Sequence, residues 1–405
     1  VNEVNRSRLN PLWNIISNSQ RVNEFQAANV LLSLELVRND SQSLEQTMMQ
    51  KINATMVRNG SNLSSGQLAW IIMALGACHN TYTHLIKDFQ LVQLLEKKFQ
   101  EEIKNMGTHN GNPLTNYYEL SQDLLALCLF GGNYSVTEIA RLFTPENKNY
   151  YFGNQFSVDT GAMAVLALTC VRRSIINQQI EADKNSSINI SNYIELLVKK
   201  ILSEKKENGL IGNIYSTGEA MQALFVSSNS YNESDWDCQQ TLDTVLKEIS
   251  QGVFSIPTAA AQILPALLGK TYLDVNKNSS CVYRKDIKVV TPVSTSVIPT
   301  KSPSLITVHY SVQINKTYST NVTVPSGSVF LDVMEEAQKQ NETIFGFTWE
   351  EESWGPYITS VQGLWANTND RTYWEILSGG QSLSQGVGSY VVHNGEYLEI
   401  RWSKY

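Results

Sequence analysis

The residues able to do chemistry in this 405-residue chain are few and form no catalytic set. The five histidines, His79, His84, His109, His309 and His393, do not cluster. The five cysteines, Cys78, Cys128, Cys170, Cys238 and Cys281, contain no C-x-x-C pair. A structural zinc site or a thioredoxin-like redox pair is therefore not expected, because both need closely spaced thiolates or imidazoles. G-x-x-x-x-G-K-[ST], G-x-S-x-G, H-E-x-x-H and a dinucleotide-binding glycine fingerprint are all absent. A carboxylate pair for glycoside hydrolysis would start from Asp159, the best-placed acid. Its counterpart at the next comparable helix start is Asn213, an amide that cannot transfer a proton.

What does recur at helix starts is neutral and hydrogen-bonding: Gln67, Thr115, Asn116, Tyr117, Asp159, Asn213, Ser216 and Gln262. Amides donate and accept in pairs, and a carboxylate accepts N–H groups, so such a ring suits a large uncharged ligand rich in amides. Each residue also has a local role open to it. Ser64 with Gln67, and Ser216 with Glu219, have capping-box spacing. Asp159 can cap the helix that follows it.

The first two-thirds of the chain supplies a repeating element to position these groups. A polar, turn-prone lead runs into a small-residue apolar helix in SSGQLAWIIMALGAC (64–78), YYELSQDLLALCLFGG (117–132), FSVDTGAMAVLALTC (156–170), YSTGEAMQALFVSS (215–228) and PTAAAQILPALLGK (257–270). Leu75, Leu127, Leu168, Leu224 and Leu267 mark these helices at intervals of 52, 41, 56 and 43 residues. More polar amphipathic segments, such as Leu91–Ile103 and Ile194–Lys205, lie between them. Two helices per repeat fit a closed α/α toroid or an open solenoid. The Ala-rich helices read as an inner ring and the charged ones as an outer ring with one solvated face. In a toroid the helix starts named above open on one rim.

The texture changes near Arg284. Pro292, Pro299 and Pro303 fall in a Ser/Thr/Val-rich stretch, read as an extended linker over 284–305 between a helical domain (1–283) and a small α+β domain (306–405). ITVHYSVQI (306–314), YSTNVTV (318–324) and EYLEIRWS (396–403) alternate as half-buried strands do, and Val329–Gln340 reads as a helix among them. Five of the eight tryptophans, Trp349, Trp354, Trp365, Trp374 and Trp402, lie in this tail. Exposed ones would close over a ligand, whereas Trp402 is expected in the small domain's core.

Formal charge is 31 − 38 = −7, giving little electrostatic support for a nucleic-acid partner. No apolar run reaches the roughly 18 residues of a membrane span; the best, Leu68–Leu75, is far shorter. The chain begins at Val1 with neither Met nor a signal-like segment, the expected start of a processed form. Thirteen N-x-S/T sequons, at Asn5, Asn39, Asn53, Asn59, Asn62, Asn133, Asn185, Asn189, Asn232, Asn278, Asn315, Asn321 and Asn341, exceed the roughly six expected by chance and point to a secreted, extracellular glycoprotein. In that compartment four cysteines can form two bridges and leave one odd thiol.

The segments SVDTGAMAVLALTC, GLIGNIYSTGEAMQAL, AAQILPALLGKTYLDV and TYWEILSGG resemble the vitamin B12 transporters, the family of transcobalamin, intrinsic factor and haptocorrin. The likeness runs nearly end to end. TNYYEL, PENKNYYFG, LSEKKENGLIGN and the dense sequons most resemble its haptocorrin branch. The resemblance implies an α6/α6 barrel linked to a small α+β domain, with cobalamin, a cobalt corrinoid, held between them as ligand and no catalytic cofactor. It implies corrin contacts from Gln67, from Thr115, Asn116, Tyr117, Tyr118 and Glu119, and from Asp159, Asn213, Ser216 and Gln262. In the small domain it implies Ser353, Trp354, Gly355, Pro356, Tyr357 and Ile358, with Trp374, Glu375, Ile376, Leu377, Ser378 and Gly379. The implied product is a secreted monomeric carrier, not an enzyme. It would be tolerant of corrinoid analogues and taken up by a cell-surface or glycan-reading receptor. A toroid enzyme of glycosidase or cyclase type, or a scaffold that buries no ligand, is the competing reading.

Three departures matter. A histidine of transcobalamin-like relatives, three residues before the aspartate, is Phe156 here, so no protein ligand to cobalt is implied. The implied bridges are Cys78–Cys281 and Cys128–Cys170. Asn2 stands near where the family has the cysteine that pairs with the equivalent of Cys238, which is thereby left unpaired or joined elsewhere. Two small-domain cysteines of some relatives are replaced by Ser360 and Trp365.

Overall fold

The computed structural model describes residues 7–19, 22, 24–37, 42–59, 62–78, 90–275, 304–352, 355–383 and 385–404. The chain divides into two compact units, Val1–Tyr283 and Arg284–Tyr405.

In the first unit six inner helices close a ring: α2 (Glu24–Val37), α4 (Ser65–Ala77), α6 (Tyr117–Phe130), α8 (Val158–Ile176), α10 (Ser216–Val226) and α12 (Pro257–Leu267). Each packs on the next, and α12 packs back on α2, so the array is a closed toroid and not a solenoid. Outside lie α1 (Asn10–Ser17), α3 (Gln42–Asn59), α5 (Leu91–Thr108), α7 (Val136–Leu142), α9 (Lys184–Ser203) and α11 (Cys238–Ser250). The fold is thus an α-rich first unit followed by a small α+β unit.

Composition explains the two rings. Every residue of α4 except Gly76 is buried, because an inner helix has neighbours on both flanks and on its outer face. On α5 the buried apolar positions Leu91, Leu95, Phe99, Ile103 and Met106 form one stripe, joined by the buried polar Glu102 and Asn105, and the opposite face meets water. Glycine permits the closest inner approaches. A Cβ at Gly66 would stand 2.5 Å from Cγ of Glu119, and one at Gly161 would stand 2.4 Å from Cζ of Phe156.

Two readings of the helices need correction. The repeat spacing begins only at α4, so it misses the sixth inner helix, α2. The outer segment expected over 194–205 starts ten residues earlier, at Lys184, where Asp183 Oδ1 accepts from Ser186 N–H at 2.9 Å. That cap starts a helix whose polar first half, KNSSINISNY, carries little apolar signal.

In the second unit, β3 (Leu305–Gln313), β4 (Thr317–Pro325), β8 (Thr372–Ser378), β9 (Gln381–Ser382) and β10 (Tyr397–Lys404) form a sheet in the order β4-β3-β10-β8-β9. The pair β1 (Tyr151–Phe152) and β2 (Gln155–Phe156) is a small hairpin of the first unit. A second sheet joins β5 (Phe347–Glu352), β6 (Gly355–Val361) and β7 (Leu364–Trp365) in that order. Helix α13 (Phe330–Gln340) buries Phe330, Val333, Met334 and Ala337 in a core shared with Val308, Tyr310 and Ile400, and the one-turn α14 (Glu342–Phe345) follows it. Trp374 and the half-buried Trp402 meet at 5.0 Å in this unit, while Trp365 is 58% exposed. Of the linker read over 284–305, Leu305 lies in β3, and residues 276–303 lie outside those described.

Asn62, Asn133, Asn185, Asn189, Asn232, Asn315, Asn321 and Asn341 are exposed, and Asn53 is half-buried on α3. Asn59 ends α3, and Asn5, Asn39 and Asn278 lie outside the described residues. No helix among the described residues is long and apolar enough to cross a membrane.

Cys128 and Cys170 form a disulfide between the adjacent inner helices α6 and α8, across 42 residues of sequence. Cys78 is also disulfide-bonded, Cys281 lies outside the described residues, and Cys238 is free. Closing a loop of this length stabilises a fold by about 2–4 kcal/mol. A C128S/C170S variant should lose about 2–4 kcal/mol of unfolding free energy, read as a lower denaturant midpoint, and an unchanged midpoint would contradict it.

Candidate functional site

The first turns of the inner helices carry most of the residues singled out in the sequence, and hydrogen bonds divide them into structural and unassigned groups. Gln67 is in a capping box: Ser64 N–H donates to Gln67 Oε1 at 2.9 Å, and Gln67 N–H donates to Ser64 Oγ at 3.2 Å. Asn116 caps α6 by accepting from Glu119 N–H at 2.9 Å. Glu119 Oε2 accepts from Gly66 N–H at 2.9 Å, satisfying one of the backbone donors that the start of α4 leaves open. Glu102 on α5 takes the Ser65 hydroxyl at 3.0 Å and Thr115 N–H at 2.9 Å.

Three of the expected contact residues have partners within the fold. Tyr117 is buried; its hydroxyl donates to Leu142 O at 2.7 Å and accepts from Asn147 Nδ2 at 2.8 Å, and its ring packs 5.4 Å from Tyr150. Its side chain belongs to the core behind the rim. Ser216 is buried too, accepting from Asn213 N–H and donating to Ile211 O, each at 2.8 Å. Glu119 is buried and committed to Gly66. The capping box expected from Ser216 and Glu219 does not form either. Asn213 Oδ1 takes Tyr215 N–H and Ser216 N–H, at 2.8 and 2.9 Å, and serves that helix start instead.

Asp159 is not the cap of α8. Ser157 fills that place, accepting from Thr160 N–H at 3.3 Å. Asp159 follows in the first helical turn, half-buried, and burial pushes its carboxyl up to about 6. Across from it Tyr118 Oη donates to Glu219 Oε1 at 2.5 Å. Burial raises Glu219 and Tyr118 well above their ordinary ranges, and the charge of Asp159 adds to both. Asp159, Tyr118 and Glu219 are therefore brought together from α8, α6 and α10. Gln262 sits half-buried on α12.

Sequence reasoning missed most of the polar groups inside the ring. Gln122, Glu219, Gln222 and Tyr272 are buried, and Gln122 Oε1 and Nε2 and Glu219 Oε2 have no hydrogen-bond partner among the described residues. The signal was present as polar residues inside apolar helices, LSQDLLAL and GEAMQAL.

Few candidate side chains of the second unit remain uncommitted. Trp374 is in that unit's core, its Nε1 donating to Leu364 O at 3.1 Å. Glu375 accepts from Arg401 Nη2 at 2.9 Å and from Ser403 Oγ at 2.7 Å. Ser378 donates to Glu396, and Leu377 and Ile358 are buried. Gly355 is buried with φ +115°, Pro356, Tyr357 and Ile376 are half-buried and Gly379 is exposed; Ser353 and Trp354 lie outside the described residues. No group of three or more His, Cys, Asp or Glu able to hold a metal exists among the described residues. Phe156 is buried, 5.7 Å from the Tyr151 ring, with its edge over Gly161.

The model of the eukaryotic cobalamin-binding protein family matches residues 1–301, and that of a domain of unknown function matches 327–404. Human transcobalamin-1 is 64% identical, over 100% of this chain and 94% of its own length. Pig transcobalamin-1 is 49% identical over 93% of this chain and 88% of its own, and human cobalamin binding intrinsic factor 32% over 98% and 92%. A crystal structure of haptocorrin in complex with Cbi matches with a TM-score of 0.90 at 64% identity, covering 100% of this chain and 99% of that one.

Buried acids with raised pKa bind protons on folding, so the stability they contribute is present in mild acid. It is lost as pH rises through their folded values, about 6 for Asp159 and about 7 for Glu119. The melting temperature of the ligand-free protein should therefore fall between pH 5 and 8, and D159N should flatten part of that slope. A melting temperature that holds level or rises through this window would contradict the raised values.

Proposed function

The chain belongs to the eukaryotic cobalamin-binding protein family, and we propose that it is a secreted, non-enzymatic corrinoid carrier whose barrel rim grips the ligand's amide side chains. The observation that carries this reading is the meeting of Asp159, Tyr118 and Glu219: the Tyr118 hydroxyl donates to Glu219 at 2.5 Å, and the charge of Asp159 acts on both. Acceptors gathered in a desolvated place suit neutral N–H donors such as primary amides. Gln67, Asn116, Asn213 and Gln262, at or near the starts of inner helices, supply further amides to the proposal. Tyr357, Ile376 and Gly379 in the second unit join the proposal through the family resemblance. Uptake by a receptor, a monomeric state, glycans on the exposed sequons and tolerance of corrinoid analogues are part of the same proposal.

Mixed with aquocobalamin and desalted, the protein should stay red through gel filtration. Colourless protein after saturation would end the carrier reading. D159A should release corrinoid about 5- to 150-fold faster, the equivalent of one ligand amide left unpaired at about 1–3 kcal/mol. Its ligand-free melting temperature should not fall, because Ser157 supplies the cap. Release at the wild-type rate would remove Asp159 from the contacts.

Phe156 bears on the cargo's metal. An aromatic ring has no lone pair in its plane, and this one is buried against Tyr151 and Gly161. The cobalt of a bound corrinoid therefore keeps an upper ligand that is not from the protein, and azide or cyanide should replace water in the aquocobalamin complex. A magnetic-resonance signature of histidine nitrogen on cobalt would contradict this.

A further inference from the structure

Glu219 lies on α10, buried to 4% exposure inside the ring, and nothing about its position in the sequence marks it beyond a capping role that it does not perform. Its Oε1 receives the Tyr118 hydroxyl at 2.5 Å across the gap between α6 and α10, while its Oε2 has no partner among the described residues. A phenol has a single O–H to donate. With that hydrogen committed to Glu219, the Tyr118 oxygen can meet a ligand only as an acceptor, whichever protonation state Glu219 holds at its other oxygen.

We propose that Glu219 is a positioning and specificity-determining residue for corrinoid binding: it fixes the Tyr118 oxygen as an acceptor beside Asp159, so that this part of the rim selects primary amide N–H groups over carboxylates. The inference rests on the carrier reading and adds to it the chemical class of side chain selected at this place. Two acceptors side by side recognise a donor, and an extra carboxylate among Asp159, Glu219 and Tyr118 would meet like charge without a compensating cation. Burial raises all three groups, which is the same statement in proton terms: the place already resists negative charge.

The experiment measures release rates of aquocobalamin and of a cobalamin whose side-chain amides have been partly hydrolysed to carboxylic acids, from the full chain and from E219Q, E219A and Y118F. The unaltered chain should hold the amide form more tightly than the acid form by on the order of 10- to 100-fold. E219Q offers a carbonyl oxygen to the same phenol, so its amide release should stay within roughly threefold of the unaltered chain. E219A and Y118F should each speed amide release by on the order of 10-fold and shrink the amide-to-acid ratio. The double variant E219A/Y118F should be no worse than the poorer single one, since the two act as a pair. Melting temperatures of the ligand-free proteins identify variants that are merely unstable, and such loss would not change the amide-to-acid ratio. If that ratio is the same in all variants, or if E219A and Y118F add independently, the inference fails while the carrier reading stands. If the unaltered chain retains no aquocobalamin, the carrier reading itself fails.

Discussion

Glu119 ties the first turns of two neighbouring inner helices together, and much of the rim depends on that contact. Its carboxyl reaches from α6 to the amide of Gly66 at the start of α4, where any side chain on residue 66 would collide with it. The contact answers a backbone donor that helix geometry leaves open and fixes the spacing between the two helix starts. Burial raises this carboxyl toward neutrality, to about 7, while the hydrogen bond from Gly66 pulls it down. The same spacing carries Tyr118, one residue earlier on α6, to Glu219 on α10. A change at Gly66 or Glu119 therefore acts on the rim through helix placement, without either side chain having to touch a ligand.

The interior of the ring is unusual in its chemistry. Glu102, Glu119, Asp123 and Glu219 are all buried, and burial is the leading cause of the raised pKa of each. Groups of this kind cost stability unless they are paired or protonated. An enzyme of the toroid type would use two such acids for proton transfer. Here Glu219 is engaged by a phenol, and the family to which the chain belongs is defined by cobalamin binding. Acceptors of this kind suit a neutral ligand with many N–H donors.

Much of this was legible in the sequence. Small-residue apolar stretches after polar leads gave five inner helices, because an inner helix must be apolar all round and its start must be capped. Alternation gave β3, β4 and β10, since one face of each meets a core. Resemblance supplied the family and the exchange of histidine for Phe156. It also carried the disulfide pairing, and the bond between Cys128 and Cys170 joins adjacent inner helices.

Other features depended on side-chain direction in three dimensions. Tyr117 and Tyr118 are neighbours in sequence, yet a helix turns about 100° per residue, so one faces the core near Leu142 and the other faces Glu219. Glu375 reads as a polar strand residue until Arg401 and Ser403 of the adjacent strand are found on its carboxylate. Glu219 reads as a capping partner three residues after Ser216, and only ring closure shows it pointing to α6. The sequence determined which segments become helices and strands, because periodicity and caps are local. The tertiary structure decided which polar residues serve the fold and which face the axis, because hydrogen bonds from residues more than fifty positions away, as between Gly66 and Glu119 (53) or Tyr118 and Glu219 (101), settle that choice.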